Sequence, residues 1–161
     1  MPLNANKIAY LRGQRQTRSF VPEPVTSEQM DALLEVARWT GSAVNRQPWK
    51  FVVVDDRDLL AGLSTAKGGS AWIAEAGAAI VILTEGQSAQ DNRFDAGRVA
   101  ERLLLASNAV GLAGAIVSWS PGYGEEAVRS LLQVPEGLWI YAAVIVGTPN
   151  PDAPKAPKKD Q

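Results

Sequence analysis

The run Ala78-Ala79-Ile80-Val81-Ile82-Leu83-Thr84 constrains the fold more than any other stretch of this chain. Its six apolar residues do not alternate with polar ones, so no face is left for solvent and the pattern predicts a strand buried on both sides. The flanking segments read as helices. Thr26-Ser27-Glu28-Gln29 has capping-box spacing and predicts a helix over 27–39, carrying Met30, Leu33, Leu34, Val36 and Ala37 at helical intervals. Phe94, Val99, Leu103, Leu104, Ala106 and Val110 sustain a second helix over about 92–110, ended by Gly111. Apolar residues cover more than one side of it, so two packing partners are expected, with another subunit among the candidates.

Shorter helices are predicted over 4–12, with Ile8 and Leu11 as an apolar stripe, from Asp55 through Leu63 before Gly68-Gly69, and over 124–132. Val52 to Val54 reads as a short buried strand, and further strands are expected at 114–120 and 139–147. Long helices between short strands argue for an α+β layer fold, and a length of 161 residues fits one domain. That domain is placed at 1–148, and the Pro/Lys-rich remainder, 149–161, is expected to be extended.

Composition narrows the chemistry. There is no Cys and no His, which removes disulfides, thiolate nucleophiles, Cys or His zinc sites and every triad with imidazole as base. The remaining route to catalysis is an imported cofactor that the protein binds and orients. With 16 Lys plus Arg against 17 Asp plus Glu, the net charge of -1 gives no electrostatic case for nucleic acid or a membrane surface. Met1 to Lys7 has no apolar core of a signal peptide, so a cytoplasmic protein is expected. No glycine pattern of a P-loop or a Rossmann turn is present. The pairs Asp55-Asp56 and Glu125-Glu126 fall at predicted helix starts, where the helix dipole accounts for them.

Two segments remain as candidate binding elements. Arg12, Arg15 and Arg18 recur every three residues with Thr17 and Ser19 among them, a set able to wrap a phosphate or to form a solvated basic face. Gly41 to Trp49 is a polar turn between helix and strand, with Ser42, Asn45 and Gln47 ahead of Pro48. Short polar side chains and backbone groups held between rigid elements suit a planar polar ligand.

In order along the chain, Arg15-x-x-Arg18-x-Phe20, Pro24-Val25, Ser42-x-x-Asn45-x-Gln47-Pro48-Trp49-x-Phe51, Asp95-x-Gly97, Leu103-Leu104-Leu105-Ala106 and Gly111-Leu112 resemble the FMN-dependent nitroreductase family. The resemblance implies a mostly antiparallel central sheet flanked by helices, an intertwined homodimer, two FMN sites at its interface, and NAD(P)H-driven two-electron transfer to a small acceptor. By the same resemblance Arg15, Gln16 and Arg18 belong to the phosphate segment, Ser42, Ala43 and Asn45 lie against the flavin, and Gln47 and Trp49 support that loop. Ser118 and Trp119 fall where backbone amides face flavin N5, and Lys158 or Lys159 where a basic residue returns to the phosphate. Gln14 and Gln16 replace a common Arg and Ser, Trp119 replaces a common Gly, and the helices that cover the site in larger members are absent. Two alternatives stay open: a deazaflavin or dedicated-metabolite enzyme of this fold, and a flavin-binding sensor without turnover.

Overall fold

The computed structural model describes residues 3–68, 70–86 and 88–153. Five helices, α1 (Ala5–Gly13), α2 (Ser27–Arg38), α3 (Arg57–Ala66), α4 (Ala89–Ala109) and α5 (Glu125–Leu131), surround four strands. The strands β1 (Trp49–Val54), β2 (Ala78–Thr84), β3 (Ala113–Ser118) and β4 (Trp139–Gly147) form one antiparallel sheet in the order β1-β2-β4-β3. None of the described helices is long and apolar enough to cross a membrane.

The unbroken apolar run becomes β2, paired on both sides and buried at every residue. Its alternation feeds two cores. Ile80 and Ile82, with Val144 and Val146 of β4, pack under α2 and α4 against Leu33, Val99 and Leu103. Val81 and Leu83, with Ala143 and Ile145, pack under α3 and α5 against Leu60, Leu63 and Val128. β2 is therefore sealed from both faces along its whole length and β4 from Ala142 onward, while β1 and β3 are left as edges.

The capping box forms as the sequence predicts: Thr26 Oγ1 accepts the Gln29 N–H, and Gln29 Oε1 accepts the Thr26 N–H. Asp56 caps α3 through the Leu59 N–H. Glu126 accepts the Gly122 N–H, a hydrogen bond that holds its carboxyl below the ordinary range. Two expectations change. Residues 52–54 are part of a six-residue edge strand in which only Val54 is fully buried, because one flank of β1 has no neighbouring strand. The long helix starts three residues early, capped by Ser88, whose hydroxyl accepts the Asp91 N–H. Its apolar side is covered within the chain by the sheet and α2, leaving Phe94 as its one large exposed apolar residue among those described.

The unburied apolar surface lies elsewhere. No residue of α1 is buried, so Ile8 and Leu11 stand in solvent, as do Val36 and Trp39 around the end of α2. After β4 the chain does not leave at once: Phe20 bridges Pro149, and the Val21 and Asn150 N–H groups donate to the Thr148 and Ser19 carbonyls.

Gly124 and Gly68 separate two reasons for a left-handed glycine. Both have positive φ, +83° and +62°, but a Cβ on Gly124 would stand 2.2 Å from the Ala66 carbonyl oxygen, while one on Gly68 meets nothing within 4 Å. Gly68→Ala should cost about 1–2 kcal/mol from backbone conformation alone. Gly124→Ala adds a backbone clash and should cost about 3 kcal/mol or more. Denaturant unfolding of the two variants side by side measures the difference; equal losses would contradict the packing described.

Candidate functional site

Two groups of polar residues emerge, one at each edge of the sheet. Along β3, the residues Gly114, Ile116 and Ser118 turn their backbone groups outward with the period of two that a strand imposes. Gly114 O accepts the Thr17 N–H at 2.8 Å, and Ile116 N–H donates to Gln16 Oε1 at 3.2 Å. Lys67 Nζ donates to Ser118 O. The segment before Phe20 is thereby laid along the open edge. Gln16 Oε1 also accepts from Arg18 Nη2 at 3.0 Å, and the Arg18 guanidinium lies 5.8 Å from the Trp72 ring centroid, so Arg18 is held from two sides. Arg15 donates to the Arg12 and Gln14 carbonyls.

Lys67 is the residue that sequence reasoning missed on this edge. It closes α3 and lies 4.9 Å from the Tyr123 ring centroid. Its only signal was its place beside the glycine pair, which marked a turn and not a contact with β3. Arg15, Arg18 and Lys67 have no carboxylate partner among the described residues. Trp119 follows Ser118 into the core at 4% exposure, and its indole N–H has no acceptor among the described residues.

At the opposite edge, before β1, Ser42 to Gln47 forms a tight turn that its own side chains hold. Ser42 Oγ accepts the Gln47 N–H at 2.8 Å, and Gln47 Nε2 donates to Asn45 Oδ1 at 3.0 Å. Val44, Asn45 and Gln47 have φ of 44°, 57° and 49°. A left-handed β-branched residue is strained, and Val44 is 91% exposed, so nothing it packs against in this chain offsets the cost.

The turn is tied down by Asp95, a carboxylate with no exposed surface in the second turn of α4. Asp95 Oδ2 accepts the Ala43 N–H at 3.3 Å, and Arg98 approaches Asp95 Oδ1 at 3.6 Å. The Arg98 guanidinium also lies over Gly41, where a Cβ would come within 2.8 Å of it. Asp95 was legible as part of a spacing pattern, but its contact with a turn 52 residues earlier was not.

Within one chain these groups do not meet. The edges β1 and β3 are three strand spacings apart, about 14 Å. The groups also lie on different faces, since Arg18 sits with Trp72 beside the α3/α5 core while Ala43 rests on α4. Lys158 and Lys159 lie outside the described residues.

The sequence and the fold have clear relatives. A family model described as the nitroreductase family matches residues 11–85, from the arginine segment to the end of β2. A protein of Archaeoglobus fulgidus, provisionally named an NADH dehydrogenase/NAD(P)H nitroreductase, is 30% identical over 152 residues, covering 89% of this chain and 84% of its own. The chain belongs to the nitroreductase family. Among other relatives, the FMN reductase [NAD(P)H] of Bacillus subtilis is 24% identical, covering 96% of this chain and 70% of its own. The solved structure of an FMN-dependent nitroreductase from Clostridium difficile superposes with a TM-score of 0.84 at 25% identity, covering 94% and 92% of the two chains. This nitroreductase-family chain thus carries the fold over nearly its whole length.

Asp95→Leu should remove the acceptor for Ala43 and leave Arg98 unpaired, at a cost of about 1–3 kcal/mol. Hydrogen exchange of the amides from Ala43 to Gln47 should accelerate more than that of β2. Asp95→Asn, which retains an acceptor oxygen, should keep most of the protection. Unchanged exchange in Asp95→Leu would contradict the anchoring role.

Proposed function

We propose that the protein is an FMN-dependent NAD(P)H oxidoreductase that works as a homodimer, each FMN held by the β3 edge of one subunit and the Ser42–Gln47 turn of the other. The observation that carries this reading is the split of the polar groups between opposite edges and faces of one sheet. A second copy can bring the turn of one chain to the β3 edge of the other. The exposed apolar residues suit the same assembly: Trp39 at 74%, Phe94 at 67% and Val44 at 91% exposure are surfaces that a partner would cover.

The donor set fits FMN. Arg15, Arg18 and Lys67 are cations without carboxylate partners among the described residues, so a phosphate could pair with the arginines and the charge that a reduced ring carries could be offset at Lys67. Gln16 fixes Arg18 relative to β3, so the guanidinium is pre-aimed. From the other side Ser42 offers its hydroxyl O–H and Asn45 its amide N–H groups, while Ala43, whose N–H is given to Asp95, fixes the backbone between them.

FMN held there would supply two-electron transfer from NADH or NADPH to a nitroaromatic, a quinone or a similar acceptor, with donor and acceptor using the site in turn. The chain's own contribution is binding, orientation and charge. The Ser118 amide faces the same open edge as the Ile116 N–H, and with Lys67 it offers positive potential where negative charge collects on reduction. With no imidazole or thiol in the chain, protons come from solvent.

Anaerobic addition of NADH or NADPH to the purified protein should bleach the oxidised flavin absorbance; persistence of that absorbance with both donors would overturn the activity. Arg18→Ala and Asn45→Ala should each weaken FMN binding about tenfold or more. Co-expressed, the two variants should form mixed dimers in which one site has both native halves and binds FMN with normal affinity. Absence of that recovery would contradict a shared site.

A further inference from the structure

A cleft of about 390 Å³ opens between the N-terminal half of α4 and the start of β4, walled by Arg93, Gly97, Trp119, Pro121, Trp139 and Tyr141. A β-bulge shapes it. Ile140 pairs with Leu83 and Ala142 with Ile82, so Tyr141 is the extra residue that the bulge inserts into β4. The extra residue shifts the alternation: Ile140 belongs to the core under α3 and α5, while Tyr141 and Ala142 both turn toward α4. Trp139 shares that side, and its ring stacks on Tyr141 with centroids 6.3 Å apart and planes 11° from parallel.

The opposite wall is kept open. Gly97 sits inside α4, where glycine costs up to about 1 kcal/mol relative to alanine, yet a Cβ there would meet nothing within 4 Å. Packing within the chain therefore does not explain the missing side chain. The charge of the cleft comes from one group. Glu125 is matched by Arg129 at 2.9 Å. Burial pushes the Tyr141 hydroxyl above its ordinary range, so it is neutral near pH 7, although Arg93 acts in the other direction. The Arg93 guanidinium lies 5.7 Å from the Tyr141 ring centroid, acts on the Tyr141 hydroxyl through a hydrogen bond and its charge, and has no carboxylate partner among the described residues.

A flat aromatic shelf, an opposing wall without a side chain and a single cation whose charge no carboxylate balances define a ligand class. We propose that this cleft seats the electron acceptor and selects planar aromatic anions, the ring against Trp139 and Tyr141 and a carboxylate or sulfonate on Arg93. Its role as acceptor site rests on the flavin reading, through Trp119, which walls the cleft and directly follows Ser118. Its ligand class rests on the cleft alone. Arg93 is then a specificity-determining residue.

The test compares shape-matched probes that differ in charge. Calorimetry of the FMN-loaded protein should detect 2-naphthoate, a redox-inert planar anion, at least tenfold more tightly than 2-naphthamide. Arg93→Met should weaken naphthoate about tenfold and leave naphthamide within twofold, and Arg93→Lys should recover part of the loss. In turnover, Arg93→Met should raise KM for 4-nitrobenzoate about tenfold with little change in kcat, and leave 4-nitrobenzamide unaffected. Equal affinity for the two naphthalene probes, no binding of either, or equal effects of Arg93→Met on both would overturn the proposal. A protein that takes up no FMN would overturn the flavin reading instead, and naphthoate titration of that same protein would still decide the ligand class.

Discussion

The structure depends on the burial of β2 and β4 from both faces. A strand with six apolar residues in a row has to be paired on both sides and covered above and below, which fixes it inside the sheet and assigns β1 and β3 to the edges. Edges are where backbone groups remain available and where polar side chains can be placed without desolvation. The β3 edge is occupied by the Arg15–Phe20 segment through Gln16 and Thr17, and the β1 end by the turn that Asp95 anchors. The core thereby separates the two polar groups that the proposed site unites.

The absence of imidazole and thiol gives those edges their chemical character. What those edges present is guanidinium, ammonium, hydroxyl, amide and backbone N–H, groups that bind and polarise, and the chain has no imidazole to shuttle protons near neutrality. Such a set suits a cofactor that brings its own reactive atoms. The strained turn at Val44, Asn45 and Gln47 belongs to the same logic, because three left-handed non-glycine residues persist only where the surroundings fix them. Ser42, Asp95 and Arg98 supply that restraint from within the chain.

Local signals were legible where one physical effect dominates. The capping box at Thr26, the unbroken run at β2 and the glycine that ends the long helix are determined within a few residues of chain, and each forms as the pattern predicts. The Val52–Val54 run was misjudged as buried because β-branched residues mark a strand without marking its place in the sheet. The long helix has the two packing partners that its broad apolar side predicts, the sheet and α2, and the exposed apolar surface lies at Phe94, on α1, at Trp39 and at Val44. In the candidate site, the polar turn and the arginine segment could be picked out by residue type. Their separation across the sheet could not, and neither could the reach of Lys67 to Ser118 or of Asp95 to Ala43, since these contacts join residues about fifty positions apart. The bulge at Tyr141 has no local signature either; it exists only in the register between β2 and β4.

If one flavin needs the β3 edge of one subunit and the turn of another, cofactor binding and association are a single linked equilibrium. Sedimentation velocity followed at flavin wavelengths and at 280 nm across a dilution series measures that linkage directly. The account predicts that bound flavin sediments only with a two-chain species and is released as the dimer dissociates. Flavin sedimenting with a folded single chain would contradict it.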